Sequence, residues 1–173
     1  MPISLYDAFV PNARQTVGAM QALLAKAENW GAQGGPCEAD IVNGCLHETM
    51  LPFSFQIKSV AQHSLGAIEG VRAGLFDALA GEMPTTFAGM KALLTKTDEG
   101  LAAVTVDEME SFIGRDTAFD LRGMKIPFTA ENFLLSFSVP NFYFHAATAY
   151  DILRAKGLPL GKRDFLGNLR VKV

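Results

Sequence analysis

The chain has 173 residues, 49% of them hydrophobic and 19% charged, with a net charge of −3 and a sequence pI of about 5.6. This apolar fraction excludes a disordered chain and predicts one globular domain over residues 1–173 with a core of its own. No basic patch stands out, which argues against a nucleic-acid partner because phosphate binding needs clustered Lys and Arg side chains.

The cysteines and the apolar segments indicate a cytoplasmic protein. Cys37 and Cys45 have no CxxC spacing, and we interpret both as reduced thiols because a core-rich chain needs no disulfide framework. The first fifteen residues lack the positive leader and apolar stretch of a signal peptide. Residues 132–150 contain no Asp, Glu, Lys or Arg but several polar side chains, which favours a buried helix over a membrane span.

Apolar residues that recur every three or four positions predict the first two long helices. The first helix opens at Pro11, since proline is tolerated in the first helical turn, and ends at Trp30 before a glycine-rich segment. The connection over residues 31–51 is long, so we expect a short helical turn in it. The second helix runs from Pro52 to about Ala80. Glycines recur at every fourth position along it, which favours close approach of a neighbouring helix or subunit: Gly66, Gly70 and Gly74.

A third helix and a hairpin follow. Thr85 or Thr86 caps the third helix. Its buried side is predicted to consist of Phe87, Met90, Leu94, Thr97, Leu101 and Val104. The stretch "AFDLRGMKIPF" alternates apolar and polar residues on either side of Arg122-Gly123. That alternation predicts a β-hairpin in which Phe119–Leu121 pairs with Met124–Phe128.

The fourth helix is capped by Thr129, runs to Lys156 and stops at Gly157. Pro140 removes one backbone hydrogen bond and crowds the carbonyl of Ser136, so we expect a kink there. Four long helices with short to medium connections predict an all-α fold, a four-helix bundle with a small β-hairpin before the last helix.

The histidines are the candidate chemical residues. Asn141 and His145 are four residues apart and share one helix face, which Thr148 and Ile152 continue. His63 lies at the edge of the apolar stripe of the second helix. Facing helices could bring His63 and His145 together in the core, which is how metal sites are built in bundles. The alternative is structural, because a lone histidine in a helical core commonly donates one hydrogen bond and nothing more.

The sequence resembles a known superfamily over nearly its whole length, and most specifically near its C-terminus. "HAATAYDILRAKG", which starts at His145, is similar to the segment that begins with the last metal-binding histidine of the DinB-like proteins. Leu153, Arg154 and Gly157 fall where the family pattern "RGQI...LR..G" has them, and His63 in "VAQHSLGAI" resembles the first histidine of the family triad. "PNFYFHAATAYDILRAKGLPLGKRDFLG" looks like the C-terminal signature of one subfamily, which is classed as a domain of unknown function.

The resemblance implies a four-helix bundle, a homodimer and a site for zinc or nickel on His63, Asn141 and His145. DinB-like proteins with a complete histidine triad bind these metals, and some act as thiol-dependent transferases or as hydrolases. This chain departs from the pattern at two places. Asn141 stands where the family has its middle histidine, and "AAT" replaces "RGQ" after the last one. His47 could supply a third nitrogen, although no spacing requires it.

Three functions are therefore open. The first is a metal-dependent transferase or hydrolase, in which His63 and His145 bind the ion and Asn141 is a weak ligand or orients one. The second is a metal-free bundle that binds a small apolar ligand against the aromatic side of the fourth helix. The residues predicted to line that pocket are Phe142, Tyr143, Phe144, Thr148 and Tyr150. The third is a dimeric structural or stress-related protein without a small-molecule site.

Overall fold

The first long helix begins at a serine cap. In the computed structural model, which describes residues 3–172, helix α1 spans Leu5–Ala32, and the Ser4 hydroxyl accepts a hydrogen bond from the Asp7 N–H at 2.9 Å. The prediction that Pro11 opens this helix is wrong, because Pro11 lies inside it. Pro11 cannot donate to the Asp7 carbonyl. The side-chain amide of Asn12 lies 3.5 Å from that carbonyl and 2.8 Å from the carbonyl of Ala8, which offsets the missing bond.

A short helix and an interrupted long helix come next. Helix α2 (Glu38–Val42) confirms the helical turn expected in the connection. The second long helix covers residues 53–73 as α3 (Phe53–Ala61), a π-helical segment π1 (Gln62–Gly66) and α4 (Ala67–Ala73). The predicted end at Ala80 is wrong. Gly74 has a φ of 74°, the left-handed conformation that commonly ends a helix, and the chain leaves it as a strand.

A small three-stranded sheet packs against the helices. Its strands lie in the order β1 (Leu75–Asp77), β2 (Asp116–Leu121) and β3 (Met124–Thr129). The predicted hairpin is confirmed: β2 and β3 are antiparallel with Phe119 opposite Ile126, and Arg122 and Gly123 form the turn with φ of 53° and 90°. Strand β1 was not predicted. It pairs with β2 in parallel, a contact between distant parts of the chain that local periodicity does not reveal.

The third long helix agrees closely with its prediction. Helix α5 spans Phe87–Ala102, and the Thr86 hydroxyl caps it by accepting from the Gly89 N–H at 3.0 Å. All six residues predicted for its inner side, including the following Val104, are buried. Helix α6 (Val106–Ser111) then leads into the sheet.

The fourth long helix is also interrupted. It consists of α7 (Ala130–Asn132), a π-helical segment π2 (Phe133–Ser138) and α8 (Val139–Ala155). It stops before Gly157, whose φ is 102°. The π-helical segment ends two residues before Pro140, so the proline lies in the first turn of α8; the kink expected there stays a prediction. A short helix α9 (Lys162–Leu166) closes the described chain.

Helix α1 packs on α5 and α3 packs on α8, so one continuous apolar core joins all four long helices. This is an all-α bundle with a small sheet, as predicted.

The glycines of the second helix, which were predicted to admit a neighbouring helix or subunit, have different roles. A Cβ on Gly70 would lie 2.8 Å from Phe76 Cβ, so Gly70 admits strand β1 rather than another helix. Across residues 3–172, no helix combines the length and the apolar character that a membrane crossing requires.

Candidate functional site

The structure brings His63 and His145 together. His63 lies on π1 and His145 on α8, and their ring centroids are 5.8 Å apart with 14° between the ring planes. His63 is 6% exposed, and His145 is half-buried. The geometric prediction that two distant imidazoles meet in the bundle is therefore correct.

A buried amide fixes the protonated nitrogen of His145. Its Nδ1 lies 2.7 Å from Oε1 of Gln56, a side chain that is only 2% exposed. The amide nitrogen of Gln56 donates to the Leu51 carbonyl at 2.8 Å, so its oxygen must be the atom that faces the ring. An amide oxygen only accepts, and Nδ1 of His145 therefore carries the proton. In the neutral ring, Nε2 is left with a free lone pair.

His63 has a hydroxyl partner on the opposite helix. Its Nδ1 lies 3.3 Å from Oγ of Ser138, which is fully buried. Gln56 and His63 are seven residues apart on one helix, as are Ser138 and His145 on the other, so each pair lies near one helix face. Gln56 precedes His63 on the second helix but bonds His145, the later residue of the other pair, and Ser138 bonds His63. The two helices therefore run antiparallel.

Both partners of the His63–Ser138 bond lie on π-helical segments, π1 and π2. π-Helical residues make up well under 1% of globular proteins and are frequent at functional sites. Sequence reasoning missed Gln56 and Ser138. A signal was present, because each is a polar residue two helical turns before a candidate histidine.

The surroundings keep both rings neutral. Burial, and to a smaller extent the neighbouring His145, together lower the pKa of His63 to about 4. Burial also lowers the pKa of His145 to about 4. Aromatic rings flank both imidazoles: Phe55 and Phe144 lie against His145, and Phe76 and Phe137 lie against His63. At neutral pH the site thus presents two uncharged imidazoles in an apolar setting.

The other predicted ligands are less engaged. Asn141 is half-buried on α8, and its amide nitrogen donates to the Phe137 carbonyl at 2.7 Å, which leaves its oxygen as the available donor atom. His47 is exposed in the connection before α3. Its Nδ1 lies 2.9 Å from the Thr49 hydroxyl, and it is not grouped with the histidine pair.

The side chains predicted for an apolar ligand pocket make separate contacts. Phe144 is 57% exposed and meets His145 edge-on. Thr148 is buried and donates to the Phe144 carbonyl at 2.7 Å, while Tyr150 packs edge-on against Phe165. Phe142 and Tyr143 instead help to line a cavity of about 110 Å³ beside His63.

The separation of the two rings agrees with the distance expected for imidazoles that share a metal ion. At zinc–nitrogen distances of about 2.0–2.1 Å, the centres of two imidazoles sharing one ion lie about 5–6 Å apart. The 5.8 Å separation of His63 and His145 falls in that range. The set is nevertheless short, since residues 3–172 contain no group of three or more His, Cys, Asp or Glu side chains placed to hold a metal. The two histidines therefore offer fewer ligands than the three of a typical catalytic zinc site.

Comparison with known proteins agrees with this fold. Residues 5–166 match the family described as a domain of unknown function, DUF1993. The chain is also similar to a solved structure described as a DinB family member protein from Shewanella denitrificans, with 21% sequence identity and a TM-score of 0.81. That match covers 98% of this chain and 95% of the other, and at this identity it shows the fold alone. The comparison with curated proteins gives no match. Because the family match spans nearly the whole chain, the protein belongs to the DUF1993 family, a domain of unknown function.

Proposed function

We propose that His63 and His145 form an open site for one divalent transition-metal ion, with zinc and nickel as the first candidates. The observation that carries this proposal is the placement of two neutral imidazoles 5.8 Å apart in the bundle core. Imidazole suits zinc, copper, iron and nickel, and a ligand histidine must be unprotonated to bind. The lowered pKa of both rings meets that requirement well below neutral pH.

The partners of the pair support the same proposal. A metal-binding histidine usually donates its second ring nitrogen to an oxygen, which fixes the tautomer and the ring orientation. Gln56 does this for His145, with its own amide anchored on the Leu51 carbonyl. Ser138 offers His63 a comparable partner from the opposite helix. Both rings are therefore held before any ion arrives.

The remaining positions around an ion would be filled by weak or exchangeable ligands. Asn141 offers one amide oxygen, and water or a substrate would supply the rest. When bound, a divalent ion acts as a Lewis acid and activates water or a thiol, which is the chemistry of hydrolases and S-transferases. The chain's own contribution is to orient two ring nitrogens and to surround them with phenylalanine rings that limit the access of water.

Calorimetric titration with zinc chloride and nickel chloride tests the proposal. We expect one ion per chain, and we expect His63→Phe and His145→Phe each to weaken binding by at least about 100-fold, since loss of a mere supporting contact already costs 10–100-fold. Phenylalanine keeps a ring in the aromatic cluster and removes only the nitrogens. The matched control is His47→Phe, at an exposed histidine. Wild-type protein that binds neither ion, or equal losses in all three variants, would contradict the proposal.

A second candidate is a metal-free site for a small apolar molecule. The cavity of about 110 Å³ beside His63 favours it, since its walls are mainly apolar, with His63, Asn12 and Tyr143 as the polar exceptions. Cavities near this size bind benzene or xenon when they are apolar. A xenon-dependent change in the NMR signals of Phe142 that persists with excess chelator would support this function. Unchanged signals under xenon pressure would exclude it.

The homodimer implied by the resemblance, any catalytic activity and the cytoplasmic location stay predictions. Sedimentation velocity over a range of protein concentrations tests the dimer. A single species with the mass of one 18.7 kDa chain at all concentrations would contradict it.

A further inference from the structure

A second cavity lies on another side of the second helix. It has a volume of about 660 Å³, within the range of about 300–1,000 Å³ that is usual for small-molecule sites. Its walls come from residues 58–70 of the second helix, from β1 and the turn that follows it, and from α5. Phe76 lines the cavity and also packs against His63, with ring centroids 5.3 Å apart, so this ring lies between the cavity and the histidine pair.

Lys58 is the unusual residue of this cavity. Lysine is almost never fully buried unless it is paired, yet Lys58 is only 7% exposed. Its ammonium donates to the Gly81 carbonyl at 2.7 Å and lies 3.4 Å from the Leu79 carbonyl. Among residues 3–172, no carboxylate forms an ion pair with it. A buried charge without a counter-ion is costly, and an ammonium has three donors, so an anion in the cavity would stabilise it.

The remaining lining separates an apolar interior from a charged rim. Leu65, Phe76 and Leu93 contribute buried or half-buried apolar surface. Lys96 and three carboxylates, Glu69, Asp77 and Glu82, are exposed to solvent. Solvent and salt screen these exposed charges much more than the buried one. A ligand with a single negative charge can therefore pair with Lys58, whereas a second negative charge would meet a rim in which carboxylates outnumber lysines.

We propose that this cavity binds a small monocarboxylic acid, whose carboxylate pairs with the Lys58 ammonium and whose apolar body packs on Leu65, Phe76 and Leu93. This site is separate from the histidine pair and does not rest on the proposed metal binding. The chemistry selects against dicarboxylates and against uncharged molecules of the same shape.

Calorimetric titration with three eight-carbon probes tests the charge selection in the unaltered protein. We expect octanoate to bind at least about tenfold more tightly than 1-octanol, because only octanoate offers a partner to the buried ammonium. Octanedioate should bind more weakly than octanoate, because its second carboxylate cannot pack on the apolar lining and meets a rim in which carboxylates outnumber lysines. Equal affinity for octanoate and 1-octanol, or no binding of octanoate, would overturn the proposal.

Two variants test the role of Lys58 itself. Lys58→Met keeps an apolar stem and removes the charge, and it should abolish the preference for octanoate over 1-octanol. Lys58 also ties the turn at residues 79–81, so the matched control is Gln62→Met, which removes the 2.6 Å bond from the Gln62 amide to the Ala80 carbonyl in the same turn. An equal loss in both variants would show that turn ordering decides binding and would overturn the proposal. His145→Phe should leave octanoate binding unchanged, which separates this result from any failure of metal binding.

Discussion

Acid should destabilise this fold through its two buried histidines. Both have a folded-state pKa of about 4 against an ordinary value of 6.5. Between these values the unfolded chain binds more protons than the folded one, so stability is complete above pH 6.5 and falls as the pH drops toward 4. At pH 5 the expected loss is about 2 kcal/mol for each histidine, or about 4 kcal/mol for the pair.

Urea unfolding at pH 7.5 and pH 5.0, in the presence of a chelator, measures this loss. The comparison is between the wild type and the His63→Phe/His145→Phe double variant, because the carboxylates contribute equally to both proteins. We expect the wild type to lose about 4 kcal/mol more than the double variant between the two pH values. His47→Phe should behave like the wild type and controls for the removal of a histidine. The same pH dependence in wild type and double variant would refute the reasoning.

Two local features give stability predictions with matched controls. Gly70→Ala should destabilise the fold by about 1–2 kcal/mol, because the new methyl group would lie 2.8 Å from Phe76 Cβ; Gly18→Ala, which meets nothing within 4 Å, should stabilise α1 by up to about 1 kcal/mol. Equal effects of the two changes in urea unfolding would contradict the close approach of β1. Thr86→Ala should cost about 1 kcal/mol through loss of the helix cap, whereas Thr85→Ala should cost much less; the reverse order would place the cap one residue earlier.

Features that depend on neighbouring residues were predictable from the sequence. The cap at Thr86, the stop at Gly157 and the hairpin turn at Arg122-Gly123 all depend on the backbone preferences of a few adjacent residues. Periodicity was also sufficient to place the buried side of α5. These signals are local, so a single sequence contains them.

Features that depend on tertiary contacts were not predictable in the same way. Leu75 continues the apolar stripe of the second helix, and only the pairing of β1 with β2 and the conformation of Gly74 show that the helix has ended. The sequence predicted a helix start at Pro11. The hydrogen bond by which the Asn12 side chain compensates for the missing proline N–H cannot be recognised from composition. The two π-helical segments likewise have no sequence signature that a period of three to four residues would reveal.

The candidate site shows the same division. Helical spacing and the family resemblance were enough to pair His63 with His145, because both lie on inward faces of the bundle. The crosswise partners Gln56 and Ser138 depend on the relative register of two antiparallel helices, which a single sequence does not fix. The buried state of Lys58 depends on the turn that folds over it, and its neighbours in sequence gave no indication of that turn.

The most direct test concerns the neutral state of His63 and His145, on which their ability to bind an ion depends. Long-range ¹H–¹⁵N NMR of the histidine side chains, recorded from pH 8 to pH 4 without metal, measures both the protonation state and the tautomer. We expect both rings to stay neutral down to about pH 5, with the proton of His145 on the Nδ1 that faces Gln56. Titration of both rings near the ordinary value of about 6.5, or an Nε2-protonated His145, would contradict it.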